Sequence, residues 1–214
     1  MAKPHAPNGG IAGPLDGVLR RHGATMVLRE GRCVAAHFGS PTSEAAVCLS
    51  TVGIADRSDR TTFELRGAPP DIDTALAAIA SLGDRASNGR TGPRSAVVRC
   101  DHVDMAACSA ALVAADVAVD ISNRFAAIQV IGPRAADLVG AFDERQDLPV
   151  VVLDGGSSYE LLVTAERGPA LWGRLLDAGA PLRVACVGLE ALEHLVASHR
   201  LDRSASPTGS WADD

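Results

Sequence analysis

Lysine is almost missing from this chain: of 214 residues only Lys3 is one, and it sits in the polar leader MAKPHAPNGG. A Schiff-base lysine and the lysine of a phosphate-binding loop are therefore excluded from the folded body. Basic clusters are lacking too, and with a net charge of -6 and a pI of about 5.5 the chain is expected to meet neither nucleic acid nor a membrane surface. No apolar run approaches the roughly 20 residues that span a bilayer, and the leader has no apolar signal segment. The five cysteines, Cys33, Cys48, Cys100, Cys108 and Cys186, form no C-x-x-C pair. Scattered among apolar neighbours, they are expected to be buried free thiols of a cytoplasmic protein. There is no G-x-S-x-G elbow, no H-E-x-x-H, no G-x-G-x-x-G after a strand and no Walker loop, so no familiar catalytic signature is present.

What the chain does have is 47% hydrophobic residues, enough for one good core or two small ones. It also has an internal repeat. VGIADRSDRTTFELRG at 52–67 returns in altered form as VAVDISNRFAAIQVIG at 117–132. Each copy runs apolar residues into Asp-x-Ser-(Asp/Asn)-Arg, then a strand-like stretch, then Gly, and the second has one extra residue between Arg and Gly. Such self-similarity marks a duplicated structural unit.

The pattern predicts a short helix over 14–22 closed by Gly23, then a hairpin of Thr25–Arg29 and Arg32–Phe38 turning at Glu30-Gly31. A helix over 41–52 follows, with Thr42 or Ser43 available to cap it. In the first unit 63–66 and 95–100 read as strands, 69–82 and 104–115 as helices, and 117–121 as a strand. A fourth strand is expected near 101–103, and GDRASNGRTGP at 83–93 reads as a loose linker. The second unit is clearer: strand 126–131, helix 133–142, strand 150–153, a turn at Asp154-Gly155-Gly156, strand 158–164, helix 165–178, strand 182–186. That order, β-α-β-β-α-β, is the ferredoxin-like arrangement. The fold class is α+β: two pseudo-repeated ferredoxin-like lobes with an N-terminal helix and hairpin. The divisions are a flexible leader 1–13, a first lobe 14–116, a second lobe 117–200 that includes a last helix over 189–199, and a disordered tail 201–214. In that tail Trp211 is either passive or docks on the body or a partner.

Glu160 stands out among candidate site residues. In SSYELLVT, alternation places it beside Leu162 and Thr164 on one sheet face, opposite Tyr159 and Leu161. A carboxylate there needs donors. Two parallel N–H groups of a ligand would serve, and so would Arg60, Arg124 or another arginine. Asp56, Ser58, Asp120 and Ser122 either tie down turns or line a cleft where the lobes meet. Glu190 and His194, one helical turn apart, form either an ion pair or half of a metal site.

The stretches HFGSPTSEAAVCLSTVGIADRSDRTTFELRG, DISNRFAAIQVIGPRAADLV, SSYELLVTAERGPALWGRLLDAGA and VGLEALEHL, in this order, resemble the folate-binding region of the aminomethyltransferase (glycine-cleavage T-protein) superfamily. That group takes in the folate-binding proteins of iron–sulfur cluster maintenance and the sarcosine oxidase gamma subunit. The resemblance implies paired lobes around a tetrahydrofolate cleft, with Glu160 at the place of the family's pterin-binding glutamate. Tyr159, Asp56, Ser58, Ser122 and Arg124 are the other expected folate-binding residues, and Phe38, Phe63 and Phe125 are further candidates for stacking. The family's catalytic Gly-Gly-x-x-Asp-Asp segment corresponds to NGRTGPRSAVVRC here, with no acid. Its Leu-Arg-Leu-Glu-Ala-Gly becomes 195–200, LVASHR. The Lys-Gly-Cys motif of the cluster-maintenance branch and the C-terminal barrel domain are missing. The resemblance therefore implies a tetrahydrofolate-binding accessory protein, or a non-catalytic subunit of glycine or sarcosine metabolism, with a larger flavoprotein as possible partner and with no catalytic or metal-binding residue. The alternatives are a divergent aminomethyl- or methyltransferase using Asp101 or Asp104, and an interaction module without folate.

Overall fold

The computed structural model describes residues 11–29, 31–83, 86–112, 118–143, 150–154 and 158–205. Lys3, most of the leader, Glu30, the Gly155-Gly156 turn and the tail with Trp211 lie outside them. The chain opens with α1 (Asp16–Arg21), the hairpin strands β1 (Thr25–Arg29) and β2 (Arg32–His37), and α2 (Pro41–Ser50). Gly23, at φ +85, closes α1 as its sequence position suggests. The cap of α2 lies two or three residues earlier than expected: Ser40 Oγ, not Thr42 or Ser43, accepts from the Ser43 amide at 3.4 Å. Pro41 stands inside the first turn, where its missing N–H costs nothing.

The first lobe comprises β4 (Thr61–Arg66), α3 (Pro69–Ala80), β5 (Ala86–Gly92), β6 (Ser95–Cys100), α4 (Met105–Leu112) and β7 (Ala118–Asp120). Its sheet runs β5-β6-β4-β7, all antiparallel. This is the ferredoxin-like order. Two expectations are corrected here. The missing strand is β5, inside the stretch read as a linker, whereas 101–103 makes a loop and the start of a 3-10 turn, His102–Asp104. ASNGRTG hides a strand because it has no β-branched or aromatic run, being held by pairing with β6 instead.

The second lobe comprises β8 (Phe125–Ile131), α5 (Ala135–Asp143), β9 (Val151–Asp154), β10 (Ser158–Thr164), α6 (Gly168–Gly179) and β11 (Ala185–Val187), followed by α7 (Leu189–Ala205). Its sheet runs β11-β3-β8-β10-β9, where β3 is Gly53–Asp56. The second lobe thus departs from a plain ferredoxin-like sheet: β3, from the first repeat copy, lies between its fourth and first strands, parallel to β11 and antiparallel to β8.

That insertion explains the repeat. The first Asp-x-Ser-Asp-Arg carries the chain from β3 in the second sheet to β4 in the first, and the second copy carries it back, from β7 to β8. The lobes are interlocked by two crossings.

The layers follow from strand alternation. One face of the second sheet packs Ile54, Ile128, Val130 and Leu161 against Trp172 and Leu175 of α6 and Leu138 of α5. The outer face of the first sheet packs Leu65, Ala96 and Val98 against Ile72 and Ile79 of α3 and Cys108 of α4. The inner faces meet through Val97, Ala127, Leu153 and Leu162. Gly89 lets them close, since a Cβ there would lie 2.6 Å from Leu153 Cδ2. Beside this sandwich, α2 and α7 cover the Ala55 and Val187 edge with Ala45, Cys48, Leu192 and Leu195.

Candidate functional site

The two crossings are built as pseudo-symmetric copies. Asp56 Oδ1 accepts from the Ser58 amide at 2.9 Å, and Asp120 Oδ1 from the Ser122 amide at 2.8 Å. Each is an Asp side chain fixing its own turn two residues on. The serine hydroxyls then reach across. Ser58 Oγ accepts from Ala127 N at 3.1 Å and Ser122 Oγ from Thr62 N at 2.9 Å. Backbone bonds repeat the exchange: Arg57 N donates to Ala127 O at 2.9 Å and Ile121 N to Thr62 O at 2.8 Å. The corners therefore touch, and the space they line is a cavity of about 210 Å³ containing Asp56, Ser58, Ser122, Asn123 and Arg32. Burial pushes the Asp56 carboxyl up to about 6 against the bonds from Ser58.

From the first crossing, Arg60 points into the layer between the sheets. Its Nη1 donates to Glu160 Oε1 at 2.6 Å. Ser87 Oγ of β5 donates to Glu160 Oε2 at 2.5 Å, and Arg99 Nη1 of β6 lies 3.2 Å from Oε1. Arg99, with no exposed surface, also donates from Nε to Thr62 Oγ1 at 3.1 Å and from Nη2 to Arg57 O at 2.5 Å. Arg57 in turn binds Asp59 Oδ1 at 3.2 Å, Asp101 Oδ1, and Gln129 Oε1 at 3.4 Å. Burial alone would raise the Glu160 carboxyl, but Arg99, Arg60, Ser87 and Arg57 outweigh it and hold it at about 2. Glu160 is 4% exposed. Of the ways open to it from sequence, the one present here is pairing with arginine, and Arg99, a strand residue in SAVVRC, is the partner that sequence reasoning missed. Its only signal was an arginine at an inward position of an otherwise apolar strand.

A larger cavity, about 480 Å³, opens beside this cluster. Its apolar walls include Leu49 of α2, Leu192, Leu195 and Val196 of α7, and Ile131 of β8. Arg57, Gln129 and Tyr159 supply polar groups, and among the described residues no Asp or Glu lines it. Cys48 also faces it, but burial and then Glu44 push that thiol up to about 11, so it stays protonated at neutral pH.

The six expected folate contacts therefore divide. Asp56, Ser58 and Ser122 line the smaller cavity, Tyr159 the larger one, Glu160 neither, and Arg124 is exposed outside both. Of the aromatic candidates, Phe38 stacks on Trp172 with ring centroids 6.4 Å apart, Phe63 packs in the first lobe's core, and Phe125 borders the smaller cavity. Asp101 is engaged by Arg57 and Arg60. Among the described residues, no group of three or more His, Cys, Asp or Glu is placed to hold a metal. No helix among them is long and apolar enough to cross a membrane.

No family model and no curated protein matches the chain. Among solved structures, glycine cleavage system aminomethyltransferase T from Bartonella henselae superposes with a TM-score of 0.63 at 15% identity, covering 85% of this chain and 60% of that one. The chain thus spans 60% of that protein's length. Heterotetrameric sarcosine oxidase from Corynebacterium sp. U-96 gives 0.46 at 16% identity, covering 79% of this chain and 95% of that one. The regulatory subunit of aspartate kinase from Thermus thermophilus gives 0.39 at 18% identity, covering 61% and 98%. The likeness to the aminomethyltransferase, expected from the sequence, is present in the fold, and at this identity it extends to the fold alone.

Proposed function

We propose that this chain is a non-catalytic accessory protein or subunit of one-carbon metabolism, binding a tetrahydrofolate-type ligand in the larger cavity. The observation that carries this reading is the composition of that cavity. It has the size, apolar walls and few convergent polar groups of a small-molecule site. Among the described residues no carboxylate lines it to move a proton, and its thiol is held protonated. Among the described lining residues there is no carboxylate or imidazole to give general acid–base help worth roughly 10²- to 10⁴-fold. Asp101, one of the two bases of the enzyme alternative, is engaged by two guanidinium groups instead.

Calorimetry with tetrahydrofolate tests the reading. Binding is expected with the wild type, weakened by Tyr159→Ala, and no methylene-tetrahydrofolate should form when an aminomethyl donor is added. Absence of heat with a folded wild type would remove the folate ligand. Turnover would restore the transferase.

A further inference from the structure

The cavity and the buried cluster share a wall. Arg57 lines the cavity and is the one charged side chain among the described residues that do. Behind it, Arg99 donates to the Arg57 carbonyl, and Gln129, which also lines the cavity, is the cross-strand partner of Glu160. Three guanidinium groups, Arg57, Arg60 and Arg99, are balanced by three carboxylates, Asp59, Asp101 and Glu160. The carboxylates are not equally committed. Glu160 and Asp59 have side chains 6% and 18% exposed, whereas Asp101 is 48% exposed and sits on the loop after β6. Asp101 also spreads one oxygen, Oδ1, over both Arg57 and Arg60.

We infer that the cavity takes its ligand carboxylate-end inward, on Arg57, with Asp101 acting as the chain's own displaceable stand-in for that carboxylate. The inference rests on the ligand-binding reading of the same cavity and names which end of the ligand enters. A ligand end made of N–H donors meets no carboxylate among the described lining residues, and both Glu160 oxygens behind the wall are taken by Arg60 and Ser87. An incoming carboxylate restores the charge balance when Asp101 swings to water, and Asp101, already half outside, completes its hydration shell with a small movement. The apolar walls of Leu192, Leu195 and Ile131 then cover an aryl body next to that carboxylate. The ligand class is an aryl or acyl group bearing a carboxylate, such as an aminobenzoyl-glutamate.

The two halves of folate separate this from the opposite orientation. Calorimetry is run with 4-aminobenzoyl-L-glutamate, with 6-hydroxymethylpterin and with tetrahydrofolate, on wild type, Asp101→Asn and Arg57→Met. The expected result is heat with the glutamate fragment and none with the pterin fragment. Asp101→Asn should bind the glutamate fragment about threefold to tenfold more tightly, since the internal competitor is gone, and Arg57→Met about tenfold or more weakly. Should Arg57→Met fail to fold, Asp101→Asn decides alone, and unchanged or weaker binding overturns the inference. Pterin-fragment binding without glutamate-fragment binding overturns it as well. Tetrahydrofolate bound with no preference for the glutamate half leaves the folate reading standing and removes this one. The glutamate fragment bound with tetrahydrofolate refused does the reverse.

Discussion

Arg60 Nη1 donates to Glu160 Oε1 across 2.6 Å, joining residues 100 positions apart and fastening the first crossing to an interior strand of the other lobe, β10. Both partners are buried, so the bond costs two desolvations and returns stability only while every member stays paired. Glu160→Ala leaves Arg60 and Arg99 facing one another without their shared acid. It is expected to cost about 3–5 kcal/mol in urea unfolding at pH 7. Arg60→Met should cost less, because Arg99 and Ser87 still hold the carboxylate. Equal losses for the two variants would mean that Arg99 does not share Glu160.

The same cluster sets the acid limb of stability. Glu160 has a folded-state pKa of about 2, below its ordinary value of 4.5. Its contribution is therefore complete above about pH 4.5 and lost as pH falls toward 2. Glu160→Gln should be less stable than wild type at pH 7 and close to it at pH 2, measured by thermal unfolding. A constant difference between those two pH values would place the acid sensitivity elsewhere.

Asp56 works in the opposite sense. Its folded-state pKa of about 6 lies above the ordinary 3.8, so its contribution is complete below about pH 3.8 and is lost as pH rises through 6. Asp56→Asn keeps an oxygen for the Ser58 amide and removes the charge. At pH 7 it should be more stable than wild type by about 1–2 kcal/mol, with the gain vanishing near pH 4. A variant destabilised at pH 7 would show that the charge, and not only the oxygen, is needed at the turn.

Much of this architecture was legible beforehand because its signals are local. Alternation around Glu160, Gly at helix ends and the repeated Asp-x-Ser-(Asp/Asn)-Arg each depend on a few neighbours in the chain. What escaped depends on distant partners. β5 is a strand only because β6 pairs with it, and β3 leaves its own repeat for the other sheet because β8 and β11 accept it there. Arg99 as a ligand of Glu160, and the absence of Glu160 from the lining of the two cavities described, required knowing that the inner faces of the two sheets stack. Tyr159 and Asp56 both looked like cleft residues, and each lines a cavity, but not the same one.

Gly132 ends the second repeat copy at φ +125, and a Cβ there would lie 2.5 Å from Thr51 O and 2.8 Å from Cys48 O. Both obstacles are backbone of the α2 end, which cannot step aside as a flexible side chain can. Gly132→Ala combines a strained conformation with that clash and should cost about 2–4 kcal/mol. A near-neutral result in urea unfolding would mean that α2 moves freely against β8.

The reciprocal serines carry the last expectation. Ser58 and Ser122 each accept a buried backbone amide from the other crossing, Ala127 N and Thr62 N, so removing either hydroxyl strands a donor between the lobes. Ser58→Ala and Ser122→Ala should each cost about 1–3 kcal/mol. Their pseudo-symmetry predicts losses of similar size. Because β3 belongs to one repeat and to the other lobe's sheet, neither lobe can open while the crossings hold, so wild type should unfold in a single transition by both fluorescence and far-UV circular dichroism. Trp172 lies in the second lobe's core and reports that half directly, whereas the helices of both lobes contribute to the dichroism. Two separated transitions in wild type would show that the crossings are a seam along which the lobes part, and coincident transitions that split in the double serine variant would show the hydroxyls to be what joins them.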